Sequence, residues 1–168
     1  MKLPVARVAF ALVFPLAGIA APDFPAHGFK SSLPASVKWD LRHQYDDAVH
    51  DVVMRTYTND AGGYVITLLL GKNSTNEKKL GPIADRFTQQ LATKPGFRII
   101  AERTGQLGGV PARLLTAELE SGTGVRHYFA ALALKGEKLY TCTFVSSAKK
   151  VEEDEVLVEF LNSIAISK

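Results

Sequence analysis

Between residues 97 and 145, apolar and polar side chains alternate in four runs separated by turns that contain glycine. Near Phe97–Gly105, Val110–Glu120, Val125–Leu134 and Lys138–Val145, the two-residue period predicts strands of a sheet with one face well buried. In the second run Leu115, Ala117 and Leu119 fall on one side, and Leu114, Thr116 and Glu118 on the other. Gly108-Gly109, Ser121-Gly122-Thr123-Gly124 and Lys135-Gly136-Glu137 place glycine where tight reversals need it, so the runs read as an antiparallel meander.

Upstream, Val52–Thr58 and Tyr64–Leu70 are rich in strand-forming residues and flank Asn59-Asp60-Ala61-Gly62-Gly63, which predicts a hairpin. After the polar loop Gly71–Lys79 the period changes. Leu80, Ile83, Phe87 and Leu91 recur at helical spacing, Pro82 suits a first helical turn, and Pro95-Gly96 ends the helix. A second helix is expected near Val151–Ser163, where Leu157, Phe160, Leu161 and Ile164 form one apolar stripe. Its acidic start, Glu152, Glu153, Asp154 and Glu155, suits the positive end of the helix dipole. Ala21–Ser36, with Pro22, Pro25 and Pro34, reads as a tether leading into a first strand. Val37–Asp51 fits two patterns: Val37, Trp39 and Leu41 alternate like a strand, whereas Leu41, Tyr45, Ala48 and Val52 match a helix.

Two striped helices and about six or seven antiparallel strands predict an α+β fold, with helices packed over the sheet as an α/β/α sandwich. No repeat or second block of composition argues for another domain. Residues 21–168 are expected to form one unit.

Residues 1–20 have the pattern of a cleaved secretory leader. Lys2 and Arg7 supply the positive start, Val8–Ala17 the apolar run broken by Pro15, and Gly18-Ile19-Ala20 the small-residue cleavage site. Val8 to Ala21 is about fourteen residues, short of the roughly twenty that cross a bilayer. No cysteine stands at the cut to accept a lipid. The mature chain is therefore expected in the periplasm or outside the cell, without stable membrane insertion. Removing Lys2 and Arg7 from the 20 basic residues leaves 18 against 17 acidic ones, a net charge of +1. A charge so balanced argues against nucleic acid as a partner.

The candidate chemistry is sparse. Cys142 is the single cysteine, so no intramolecular disulfide can form, and its place between Tyr140 and Phe144 on one strand face predicts a buried thiol. Asp40, His43, Asp46, Asp47, His50 and Asp51 form the densest polar cluster; on a helix His43, Asp47 and His50 would share a face suited to a divalent ion. The spacing matches no metal signature, and a solvated face gives the same composition. Arg113, Arg126 and His127 suggest either an anion patch or cross-strand pairing with Glu118 and Glu120. No Gly-x-Ser-x-Gly elbow occurs, and Gly105-Gln106-Leu107-Gly108-Gly109 lies between strands, unlike a phosphate loop. No residue is assigned a catalytic, cofactor-binding or metal-binding role, and no cofactor is expected.

The order Gly109-Val110-Pro111-Ala112-Arg113, a long hairpin through Tyr128–Leu134, then Gly136-Glu137-Lys138-Leu139-Tyr140-Thr141-Cys142-Thr143-Phe144 and a helix closing on Phe160-Leu161-Asn162-Ser163-Ile164 resembles the PsbP-like and DcrB-like α/β/α sandwich families. The likeness covers Phe97–Lys168, and a strand at Phe29–Pro34, the hairpin and the Pro82 helix stand where those families have them. The resemblance implies binding and assembly factors more than enzymes, and it carries no shared catalytic motif. The expected function is thus an exported, soluble, non-catalytic binding or assembly protein of the cell envelope with a protein partner. A periplasmic inhibitor or immunity protein, and a small metal-dependent envelope hydrolase using the His43–Asp51 cluster, are the alternatives.

Overall fold

The computed structural model describes residues 21–59, 63–75, 77–122, 124–147, 150 and 153–167. The leader assigned to residues 1–20, and Val151 and Glu152 at the expected helix start, lie outside them.

The chain begins with β1 (Asp23–Phe24), a single 3-10 turn (Pro25–His27) and β2 (Phe29–Lys30). Then follow β3 (Asp40–Asp47), β4 (Val52–Asn59), β5 (Tyr64–Lys72), α1 (Leu80–Ala92), β6 (Phe97–Leu107), β7 (Val110–Ser121), β8 (Gly124–Lys135) and β9 (Lys138–Ser146). The chain closes with α2 (Glu155–Ser163) and β10 (Ala165–Ile166). Seven strands form one antiparallel sheet in the order β3-β4-β5-β9-β8-β7-β6. Two local meanders, β3-β4-β5 and β6 to β9, join where β5 pairs with β9, with α1 in the crossover between them. The α+β fold expected from the pattern is the fold found.

Alternation along the central strands sends each helix to its own side. On one side Ile66, Leu68, Leu70, Cys142, Phe144 and Phe129 bury against Leu157 and Phe160 of α2. On the other, Leu115, Ala117, Tyr128, Ala130 and Leu132 bury against Leu91 of α1, with Leu80 and Phe87 half-buried beside them. We call these the α2 face and the α1 face.

The segment expected to be a tether is instead part of the core. Pro22, His27, Phe29, Ser31 and Pro34 are buried, and β1, β2 and β10 form a small antiparallel sheet. Prolines signalled a linker, yet each also lacks an N–H that would need a partner when buried. Several of the remaining polar groups are met, although His27 Nδ1 is buried without a hydrogen-bond partner. Tyr140 donates to the His27 carbonyl oxygen at 2.7 Å, Trp39 Nε1 donates to that of Pro34 at 3.0 Å, and Ser167 N donates to that of Gly28 at 2.8 Å.

Val37–Asp51 resolves as strand over Asp40–Asp47. A bulge between Leu41 and His43 shifts the phase, so Leu41 pairs with Tyr57 on the α2 face and Tyr45 with Met54 on the α1 face. The apparent helical stripe therefore never forms one surface. α2 begins at Glu155, later than expected, because Asp154 caps it: Oδ1 accepts from Val156 N at 3.1 Å and Leu157 N at 3.4 Å.

Candidate functional site

α1 packs chiefly on β6, β7 and β8, and the β3-β4-β5 half of the same face carries exposed apolar side chains. One row across this half is Tyr45, Met54 and Leu69, of which Tyr45 and Leu69 are 47% and 40% exposed. The next row is His43, Thr56 and Thr67, with the two threonine hydroxyls 3.2 Å apart. The loop after β5 borders this surface. Asn73 ties that loop together, donating to the Glu77 carbonyl oxygen at 2.6 Å and accepting from Thr75 N at 3.1 Å. A cavity of about 140 Å³ lies between the loop and Val52, Leu69 and Leu139. A polar cleft of about 430 Å³, also bordered by this loop, is lined by Lys72, Glu77, Lys78 and Glu137.

The acidic cluster falls along β3 and the turn that follows it, and its members are pulled in separate directions. Asp40, His43 and Asp47 lie on the α1 face, and Asp46 lies on the α2 face. Arg55 grips Asp46 with both terminal nitrogens, at 2.6 and 3.0 Å, and its guanidinium sits 5.4 Å from the Phe24 ring centroid. Those two hydrogen bonds from Arg55 hold the Asp46 carboxyl below the usual carboxylate range.

Asp47 is the anchor of the turn. It accepts from the backbone N–H groups of Val49 and His50 at 3.0 and 3.1 Å, and from the Tyr45 hydroxyl at 3.0 Å. His50 Nδ1 stands 2.7 Å from its Oδ2. The bond from the His50 side chain, then that from its backbone, lower the Asp47 pKa to about 2. Asp51, in the left-handed region at φ 52, is exposed, with its Oδ1 3.8 Å from Nε2 of buried His27. The helical face that would align His43, Asp47 and His50 is thus replaced by a strand and a turn. Among the described residues no three His, Cys, Asp or Glu side chains converge as a metal site would require.

Arg113, Arg126 and His127 do not come together. Arg126 pairs with Leu119 and His127 with Glu118 on opposite faces of β8. Arg113 lies 3.2 Å from Glu102 on β6 and 3.7 Å from Asp85 on α1, so it fastens the helix to the sheet. Glu118 pairs with Arg98 across β6 and β7. Cross-strand ion pairing occurs, with Glu102 as the partner of Arg113 and Arg98 as that of Glu118, while His127 faces Glu118 in the register. Cys142 is 1% exposed in the α2-side core, and desolvation pushes its thiol pKa far up.

Sequence reasoning missed the roles of Arg55 and His27, whereas the capping role expected of the acidic start of α2 falls to Asp154. A charged residue inside the apolar run Val52–Thr58 was a signal for the first. Nothing local marked His27. It also missed a pocket of about 240 Å³ beneath the sheet edge, lined by Pro22, Phe24, Leu41, Gln44, Arg55 and Tyr57.

Comparison with known proteins finds likeness in fold. No protein-family model matches the chain, and no curated protein matches it in sequence. Among solved structures it is similar to cyanobacterial PsbP (CyanoP) from Synechocystis sp. PCC 6803, with a TM-score of 0.63 and 14% identity over 90% of this chain and 95% of that one. It is also similar to LpqN of Mycobacterium tuberculosis, involved in cell envelope biogenesis, with a TM-score of 0.57 and 12% identity over 83% of each chain. The fold is PsbP-like; the DcrB-like part of the resemblance rests on sequence pattern alone.

Proposed function

We propose that this chain is an exported, non-catalytic binding or assembly protein of the cell envelope that engages a protein partner through the uncovered β3-β4-β5 side of its sheet. The observation that carries the reading is the exposure of Tyr45 and Leu69 on a sheet face that α1 covers elsewhere. Exposed apolar side chains grouped on one sheet face support the reading of an interaction surface there. The polar clusters support the same reading, because Asp46, Asp47, Asp51 and Arg113 are engaged in holding the turn, the N-terminal segment and α1 in place. The leader pattern and the shared fold with an envelope-biogenesis protein favour the envelope as the location.

The test is fractionation of cells that make the tagged full chain. The expected result is an envelope fraction, an N-terminus at Ala21 by mass spectrometry, and elution of gently solubilised protein at the mass of a complex. Tyr45→Asp with Leu69→Asp shifts elution to the monomer, whereas Val158→Asp on exposed α2 does not. Residence in the cytosol, or turnover of simple hydrolase substrates that His50→Ala abolishes, overturns the proposal.

A further inference from the structure

We propose that β3 accepts an extended, basic segment of a protein partner as an added strand, with an apolar side chain of that segment seated in the pocket beneath the edge. The inference deepens the binding role above and rests on it. β3 ends the sheet order, and its ladder runs to β4 alone. Leu41 through Asp46 are exposed. An edge strand presents a row of backbone N–H and C=O groups that template another chain, and pockets for alternate side chains supply specificity.

The bulge at Arg42 blunts the first part of the edge, as bulges do at sheet margins. Beyond it, His43–Asp47 runs in unbroken register with Thr56–Val52, which leaves a straight docking length. The pocket opens where Leu41 and Gln44 of β3 meet Tyr57 of β4 and Pro22 and Phe24 of the N-terminal segment. Its volume of about 240 Å³ falls below the ~300–1,000 Å³ common for small-molecule sites and suits one side chain.

Charge selects the occupant. Asp40, Asp46 and Asp47 lie on this strand and Asp23 lines the pocket, whereas the cations are Arg42, whose Nε donates to Thr58 Oγ1 at 2.9 Å, and Arg55, which is bound to Asp46, so carboxylates remain in excess. An added strand sends alternate side chains to opposite faces. One set meets the pocket, where Phe24, Leu41 and Tyr57 favour an apolar side chain between Asp23 and Arg55; the other runs beside Asp47 and Asp40 and is favoured as lysine or arginine. The partner is therefore an extended segment that alternates basic and apolar residues.

The experiment uses the exported mature chain and a capped eight-residue peptide alternating lysine and valine, labelled for fluorescence anisotropy at physiological ionic strength. Binding is expected to saturate and to slow amide exchange over residues 43–47. The same peptide N-methylated at alternate backbone nitrogens, with unchanged charge, binds about tenfold or more weakly, as does the parent peptide with the Asp23→Lys, Asp40→Lys variant. Equal binding of the N-methylated peptide, protection at β6 in place of β3, or failure to saturate overturns the inference. Self-association of the chain with protection at both β3 and β6 also overturns it, in favour of a second copy as occupant. An envelope complex sensitive to Tyr45→Asp and Leu69→Asp without peptide binding removes the edge inference alone. Peptide binding by a chain confined to the cytosol removes the envelope role alone.

Discussion

The hydroxyl of Tyr140, in the central strand β9, donates to the carbonyl oxygen of His27 at 2.7 Å across 113 residues of sequence. With Phe29 stacked 6.3 Å from the same Tyr140 ring, it clamps the N-terminal segment to the sheet. Tyr140→Phe keeps the ring and leaves a buried acceptor without its donor. The expected cost is about 1–3 kcal/mol, read by urea denaturation, with faster proteolytic cleavage within residues 21–37 than elsewhere.

Asp154 holds the first turn of α2 through one carboxylate oxygen. Asp154→Ala should lower stability by about 0.5–2 kcal/mol, while Asp154→Asn and Asp154→Ser retain most of it because both can cap. Chemical denaturation of the three variants provides the ranking; equal loss in all three would assign the effect to charge.

Asp47 gives the chain an acid-sensitive turn. Its folded pKa, about 2, lies below the ~3.9 of an unfolded aspartate. The stability it contributes is fully present above pH ~4 and is lost as pH falls through about 2. His50→Ala removes the largest cause of the depression, so the Asp47 carboxyl should titrate at higher pH. Carbon-detected NMR titration of the side-chain carboxyl reads both midpoints.

Burial makes Cys142 an inert thiol under native conditions. Labelling by a disulfide reagent should proceed only at the rate of opening of the α2-side core and become immediate in denaturant. Prompt reaction in native buffer would mean that β9 is accessible.

Gly108 sits at φ 57, and a Cβ there would lie 2.9 Å from the backbone nitrogen of Ile166, which donates to the Gly108 carbonyl oxygen at 3.2 Å. Gly108→Ala therefore strains the β6–β7 turn and pushes the C-terminal strand away. A loss greater than about 1 kcal/mol is expected by thermal denaturation, whereas Gly81→Ala, with open space and a helical position, should gain about 0.5–1 kcal/mol.

How much of this was legible in the residues varied with the range of the interactions involved. The hairpin and the four-strand run were readable because alternation and turn glycines are local, and Leu80, Phe87 and Leu91 announced α1 in the same way. The candidate site was less legible. Asp47 and His50 are near neighbours in sequence, yet their bond depends on a turn at the end of a strand whose own identity was ambiguous. Arg55 and Asp46 were brought onto one face as diagonal neighbours, Arg55 opposite Gln44 and Asp46 opposite Val53, by the register of β3 on β4, which a single-residue bulge sets.

By itself, the sequence determined an antiparallel α+β sheet with two striped helices and a thiol in its core, because side-chain period and turn chemistry act within a few residues. Only the tertiary structure decided that a proline-rich segment packs as core and that Asp40–Asp47 becomes an edge strand of the large sheet. It also decided that α1 covers the β6–β8 side while Tyr45 and Leu69 stay exposed. Those outcomes depend on pairing and burial between residues far apart in the chain, and the same local pattern is compatible with more than one such arrangement.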